Sequence, residues 1–446
     1  MIPAALLREF VSRNRYFGVI FVKKNLANGI RAALVVALVS IFAIACSTGP
    51  SAQGEDPVRE APVVKDEYPA IIERSLRALG NTARFRAVVE RARAGEDIMI
   101  AAIGGSITEG ANASSMNKAW ASLAADEFRT RFAPDAADRV RMVHAGMGGT
   151  PSTLGMVRQW RDIDAQAGRA PDLVFVEFAV NDWDDMTKGA AYESLVVDLL
   201  SRDTKPAVVL VFSVFKSKWN LQDRLIPVGT AYDLPMISIK DAVVPALESG
   251  WLTDAKFFSD QYHPTDYGHR LMADCMANWY DAAMAAPLLE EAPLPAEAAI
   301  GRQFAGIRMI DAANIPEGVT LEPGAFSAKD SALGTLKYAT SRKTFPENWH
   351  KSATAASSEP LRMTLNCRNL VMVYKRSSQA TFGTAEVFVD GKLVQSPNAV
   401  ESGGWNNPWT IVLLDNMELA AHTVEVRMAA GSEEKAFSIL AFGYTE

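Results

Sequence analysis

Apolar runs that recur with helical stretches between them constrain this chain more than any other feature. The runs are "DIMIAAI" (97–103), "RVRMVHA" (139–145), "DLVFVEFAV" (172–180), "AVVLVFSVF" (207–215) and "LPMISI" (234–239). Several are apolar almost throughout rather than alternating, as strands of a parallel sheet covered on both faces must be. Between them, "AWASLAADEFRTRF" and "YESLVVDLLSR" read as crossover helices, and "HPTDYGHRLMADCMANWYDAAMAA" as a closing helix. Ahead of the first run, "EYPAIIERSLRALG" and "NTARFRAVVERARAGE" read as two more, the second capped by Asn81 and closed by Gly95. Five strands with helical crossovers predict a three-layer α/β domain over residues 66–288.

The texture then changes. "PLLEEAPLPAEAAIG" is a Pro/Ala/Glu linker, taken as residues 289–300. Beyond it, short strand-like runs dominate: "LRMTLN", "NLVMVYKR", "TAEVFVDGKLVQ", "TIVLLD", "HTVEVRM" and "SILAFGYTE". Asp390-Gly391 is a two-residue hairpin signal. Residues 301–446 are therefore expected to form an antiparallel β-sandwich domain.

The N-terminal stretch "VKKNLANGIRAALVVALVSIFAIAC" joins basic residues to an apolar run, Ala32–Ala45, and then Cys46. That run is short against the ~20 residues of a membrane span and fits a signal-peptide core. "AIAC" resembles a bacterial lipobox, which makes Cys46 the expected lipidation site, against a plain signal peptide or a signal anchor. The leader ahead of Lys23 is long, and a start at Val22 would shorten it. Residues 1–46 are read as a lipoprotein-type signal peptide and 47–65, rich in Pro, Ser, Gly and charge, as a flexible linker. The expected location is the bacterial cell envelope, with the membrane reached only through the lipid.

The formal net charge is −7 with no long basic run, so no nucleic-acid footprint exists. No CxxC pair or Cys/His cluster suggests a structural zinc site, and neither metal nor cofactor is expected. With Cys46 lipidated, Cys275 and Cys367 are expected as buried free thiols.

"IMIAAIGGSITEG" (98–110) raises a chemical question: an apolar strand stops at two glycines and Ser106. A serine at the carboxyl end of a parallel strand lies where α/β sheets form their ligand crevice. Serine becomes a nucleophile only with a base, an orienting group for that base and donors for the oxyanion. In "FSDQYHPTDYGH", Asp260 and His263 have a spacing that lets a carboxylate hold one imidazole nitrogen while the other faces a serine. "HAGMGGTPS" offers glycine N–H groups, and "VEFAVNDW" carries Asn181 off a strand end. Each element alone also reads as a turn: Ser106 as a helix cap, Asp260 as a turn aspartate, Asn181-Asp182 as a turn pair.

Together and in order, the four stretches resemble the blocks of the SGNH hydrolases, the GDSL-like lipases and acylhydrolases, over roughly residues 80–280. The resemblance implies a flavodoxin-like three-layer fold and a Ser-His-Asp triad of Ser106, His263 and Asp260. It also implies an oxyanion hole from the N–H groups of Ser106 and Gly149 and the amide of Asn181. Three positions depart from the common pattern: Gly105 stands where many members have Asp, Ala179 where many have Gly, and His144 where Asn is frequent. They place the chain with a bacterial "IGGSITEG" subgroup.

Glu109 and Trp183 are candidate substrate contacts, against readings as a helix-start carboxylate and a packing residue. Trp405 and Trp409 in "GGWNNPW" could form a carbohydrate platform or serve as core or interface anchors. His144, His269, His350 and His422 are read as structural or surface groups. By family analogy the expected substrate is an O-acetylated carbohydrate. A short-chain lipid or ester hydrolase, an acyltransferase, and a glycan-binding surface protein with a vestigial hydrolase domain are the alternatives.

Overall fold

The computed structural model describes residues 66–415 and 417–446. The signal-peptide reading, Cys46 and the 47–65 linker lie outside the described residues. The first half is built on six strands: β1 (Leu76–Ala78), β2 (Ile98–Gly104), β3 (Val140–Gly146), β4 (Leu173–Glu177), β5 (Ala207–Phe212) and β6 (Met236–Ser238). Their order is β1-β6-β5-β4-β2-β3. β2 to β6 are parallel, with Gly104 in register with Gly146 and Glu177, so the carboxyl ends of three strands align. β2, β4 and β5 are buried along their whole length, the both-faces-covered pattern that their composition predicts.

The antiparallel edge strand β1 is an addition to the five expected. The stretch 67–80 was expected to be one helix. It is helical only over α1 (Tyr68–Arg74), and the chain then turns to pair with β6. Ser75 explains the break: its hydroxyl donates to the Ile72 carbonyl, and its own carbonyl accepts from Ser238 N–H on β6.

Helices cover both faces: α2 (Ala83–Arg93), α3 (Ser106–Glu109), α4 (Trp120–Phe132), α5 (Ser152–Gln159), α6 (Ala190–Leu200), α7 (Gln222–Ala231), α8 (Ile239–Glu248), α9 (Asp254–Phe257) and α10 (Asp266–Ala285). The expected stops operate. Asn81 Oδ1 accepts from Ala83 N–H at the start of α2, and Gly95 follows its end at φ 77°. Thr265 caps α10 through Gly268 N–H.

The second half is an antiparallel sandwich. Its strands are β7 (Arg308–Ile310), β8 (Thr320–Glu322), β9 (Thr335–Leu336), β10 (Ala339–Lys343), β11 (Trp349–Lys351), β12 (Leu361–Cys367), β13 (Asn369–Ser377), β14 (Ala385–Val389), β15 (Lys392–Gln395), β16 (Trp405–Leu414), β17 (Ala420–Met428) and β18 (Phe437–Thr445). One sheet runs β11-β18-β13-β16 with β7 against β18, and the other β15-β14-β17-β12-β8, while β9 and β10 pair with each other as a separate ribbon. The Asp390-Gly391 turn joins β14 to β15 with both residues at positive φ, as this hairpin type requires. Buried Cys275 and Cys367 are free thiols in separate halves.

The two halves share a core. On one face of the α/β sheet, Leu154, Val157 and Leu195 belong to the same buried cluster as Phe304, Ile307, Val371 and Leu440 of the sandwich. The connection is fixed by polar contacts as well. The buried Glu193 carboxylate accepts N–H bonds from Ala299, Ile300 and Gly301 at 2.6–2.9 Å, and Asp198 accepts from Gly306 N–H at 2.6 Å.

Candidate active site

Ser106 opens α3 directly after β2. Its Oγ lies 2.9 Å from His263 Nε2. His263 Nδ1 is 2.8 Å from Asp260 Oδ2, and Asp260 Oδ1 accepts from the N–H groups of Tyr262 and His263 at 2.7 and 2.8 Å. The Asp260-to-His263 segment is thus a tight turn closed by the aspartate itself. Burial pushes the Asp260 carboxyl upward, but the His263 ring and the two backbone donors outweigh it and hold it at about 2. It is therefore a carboxylate wherever the imidazole needs an anionic partner.

Asn181 follows β4 and reaches back beneath the serine. A Cβ on Gly105 would come within 2.2–2.6 Å of the Asn181 amide atoms. The glycine at 105, one of the three departures from the common pattern, is what lets that amide approach. Gly149 follows β3 at φ 67°, and the six-membered ring of Trp405 covers it, 2.5 Å from where a Cβ would stand. The structure thus brings Ser106, His263, Asp260, Asn181 and Gly149 to one place at the carboxyl edge of the sheet.

Fully buried Arg158 on α5 ties that edge together. Its guanidinium donates to the carbonyls of Ala145 and Gly104, and Asp162 compensates its charge. These bonds fix the ends of β2 and β3, from which the serine and the glycine loop depart. Just beneath them, Glu177 ends β4, fully buried, and accepts from Thr108 Oγ1 at 2.9 Å; burial raises its carboxyl to about 7.

The other wall comes from the sandwich. A cleft of about 710 Å³ is lined by Ser106, Gly149, Asn181 and His263 on one side and by Arg376, Glu401, Trp405 and Trp409 on the other. Trp183 is 63% exposed and Tyr262 53%, and both also line it. Trp405 is 58% exposed despite its contact with Gly149. Trp409 carries the Arg376 guanidinium on its face at 4.3 Å.

Glu109 does not line this cleft. Its carboxylate accepts Lys337 N–H, 3.2 Å away on the sandwich, and a Cβ on Gly148 would come within 2.8 Å of it. It joins the helix that Ser106 opens to the glycine loop and to the other half of the molecule. The remaining histidines have structural partners: His144 with Ser122, His269 with Ala111 O, His350 with Ser438, and His422 with Asp390. Among the described residues there is no cluster of metal-ligating side chains.

Residues 102–271 match the GDSL-like Lipase/Acylhydrolase family. No protein of curated function matches the chain in sequence. Among solved structures, the chain is similar to a two-domain esterase (CEX) active on acetylated mannans, with a TM-score of 0.70 and 25% identity, covering 84% of this chain and 99% of that one. The same description applies to a structure co-crystallized with mannopentaose, at TM-score 0.69, 25% identity, and 84% and 98% coverage. The similarity extends through both halves, the sandwich included. Residues 102–271 form a domain of the GDSL-like lipase/acylhydrolase family, and the chain is a carboxylic ester hydrolase built on it.

Proposed function

We propose that the protein removes O-acetyl groups from a carbohydrate, with Ser106, His263 and Asp260 as its catalytic triad. The observation that carries this reading is the continuous hydrogen-bonded line from Ser106 Oγ through the two nitrogens of His263 to Asp260 Oδ2, open to the interdomain cleft. His263 Nε2 takes the serine proton as Oγ attacks the ester carbonyl. The N–H groups of Ser106 and Gly149 and the Asn181 amide stabilise the oxyanion. Collapse of the tetrahedral intermediate breaks the carbon–oxygen bond to the sugar, whose departing oxygen takes the proton from His263 and leaves as a hydroxyl. Water then attacks the acyl-enzyme with His263 as base again, the bond to Ser106 Oγ breaks, His263 returns the proton to that oxygen, and acetate leaves.

The substrate class rests on the cleft. Its exposed aromatic faces, Trp183, Tyr262 and Trp405, suit the apolar faces of sugar rings, and its open length suits a polymer. The similar two-domain esterase acts on acetylated mannans, which supports an acetylated polysaccharide of that kind. The N-terminal sequence through Cys46 supports export and lipid attachment, which would put the enzyme where such polymers occur.

The test is acetate release from acetylated mannan and acetylated xylan by the soluble form lacking residues 1–46, beside Ser106→Ala. Ser106-dependent release from a glycan supports the reading. Release only from long acyl esters, or transfer of acetyl to an added sugar without free acetate, refutes it in favour of a lipase or a transferase.

A further inference from the structure

The triad carboxylate has a partner that the nucleophile, base and acid do not account for. Asn112 Nδ2 lies 2.8 Å from Asp260 Oδ2, the same oxygen that accepts from His263 Nδ1, and 2.8 Å from Ser259 Oγ. Asn112 sits at φ 61°, in the left-handed region that Asn tolerates better than most residues. The short segment that carries it is fastened along its length. Lys337 Nζ, from the connection between β9 and β10 of the sandwich, donates to Gly110 O and, at 3.1 Å, to Ala113 O. His269 Nε2 lies 3.0 Å from Ala111 O. Ser114 donates through N–H and Oγ to Asp266 at the start of α10, at 2.8 and 2.7 Å. The backbone on both sides of Asn112 is held, and its side chain has one carboxylate to meet.

We infer that Asn112 is a positioning residue for the triad, and that Lys337 makes its placement depend on the sandwich. The inference rests on the catalytic reading above. Two consequences separate it from a purely structural contact. First, the amide shares Asp260 Oδ2 with the imidazole N–H. Removing it leaves that oxygen freer to stabilise a protonated imidazole, so the base form needed for attack is reached only at higher pH. Second, Lys337 and Asn112 act on one segment, so their losses should not add. The other charged or titratable side chains around this cluster are Glu109 on α3, Asp266 and His269 on α10, Lys118 beside Asp266, Tyr262 against the His263 ring and Lys216 opposite Gln261, with Arg376 and Glu401 across the cleft. None of these side chains bonds to Asp260, and all are unchanged in the variants below.

A fluorophosphonate serves as probe, since it needs no knowledge of the natural ester. Ser106 Oγ forms a bond to phosphorus, fluoride leaves, and His263 takes the serine proton. Asn112→Gly removes the amide without straining the left-handed backbone. It should label about tenfold more slowly than the parent, with the acidic limb of the rate–pH profile displaced upward by about half a pH unit. Asn112→Asp, which sets a like charge beside Asp260, should displace it further in the same direction. Lys337→Met should slow labelling too, and adding it to Asn112→Gly should cost little more. An acidic limb in Asn112→Gly that coincides with the parent's, or full additivity with Lys337→Met, overturns the inference while Ser106 labelling of the parent still stands. No labelling of Ser106 in the parent refutes the catalytic reading itself and this inference with it.

Discussion

Trp405 and Gly149 come from opposite halves of the chain and touch: a Cβ added to Gly149 would stand 2.5 Å from the Trp405 ring. A sandwich residue therefore lies directly over the glycine loop assigned to the oxyanion. Trp405→Ala should open the cleft without touching the triad. We expect about a tenfold loss in kcat/KM on a polymeric glycan, equivalent to ~1.4 kcal/mol, and less than about a threefold change on nitrophenyl acetate. Equal losses on both substrates would mean that the ring orders the oxyanion loop rather than holding sugar.

Gly105 and Asn181 provide a second pair. Asn181→Ala removes the side-chain donor proposed for the oxyanion, a change that typically costs ~10²–10³ in turnover. Gly105→Ala should approach the same loss by a different route, because its methyl would occupy the space of the amide. Both variants should melt close to the parent temperature and bind substrate with little change in KM. A Gly105→Ala enzyme of near-parent turnover would show that the amide can retreat and still work.

Cutting the chain after residue 300 should not yield an active soluble domain. The cut strips Ile307, Val371 and Leu440 from the cluster that contains Val157 and Leu154, and it leaves buried Glu193 and Asp198 short of donors. Expression of 66–300 beside 66–446, followed by size-exclusion chromatography, reads this directly. A monodisperse fragment with parent turnover on nitrophenyl acetate would contradict it.

The pH dependence of stability should carry the mark of two buried carboxyls near the site. Burial raises Asp182 to about 8, with Asp185 adding to it, and raises Glu177 to about 7. In the unfolded chain both titrate near ~4. Between those values the folded state binds more protons than the unfolded state, so stability declines as pH rises from ~4 towards 7–8 and levels beyond. Asp182→Asn keeps an oxygen for Ser152 N–H, which the aspartate accepts at 2.7 Å. That variant should flatten the decline in melting temperature between pH 5 and pH 8. An unchanged slope would place the titration elsewhere.

Much of this was legible in the sequence because it is local or covalent in origin. Fully apolar runs identified the parallel strands, Asp390-Gly391 the hairpin, and four short blocks the residues that meet at the site. What could not be read depends on contacts between distant segments. β1 was hidden in a helical pattern, since only its pairing with β6 makes Leu76–Ala78 a strand. Glu109 stayed open between a substrate contact and a helix-start carboxylate, because nothing local announces Lys337 as its partner. Asn112 carried a faint signal, an asparagine two residues after Gly110, which marks a turn but not the carboxylate it serves. Nothing in the local sequence marks Arg158, and only its burial against two strand ends reveals the clamp.

Glu193 and Asp198 bear on how such enzymes can be rearranged. An accessory domain on a loose tether can be exchanged between enzymes by splicing within the tether. Here two carboxylates on α6 bind the backbone of residues 299–301 and of Gly306, just inside the proposed junction. A chimera that joins this sandwich to another esterase would have to import those acids, together with the apolar patch around Val157. The unit that can be inherited or engineered intact is the pair of halves, since the cleft proposed for the reaction is walled by both.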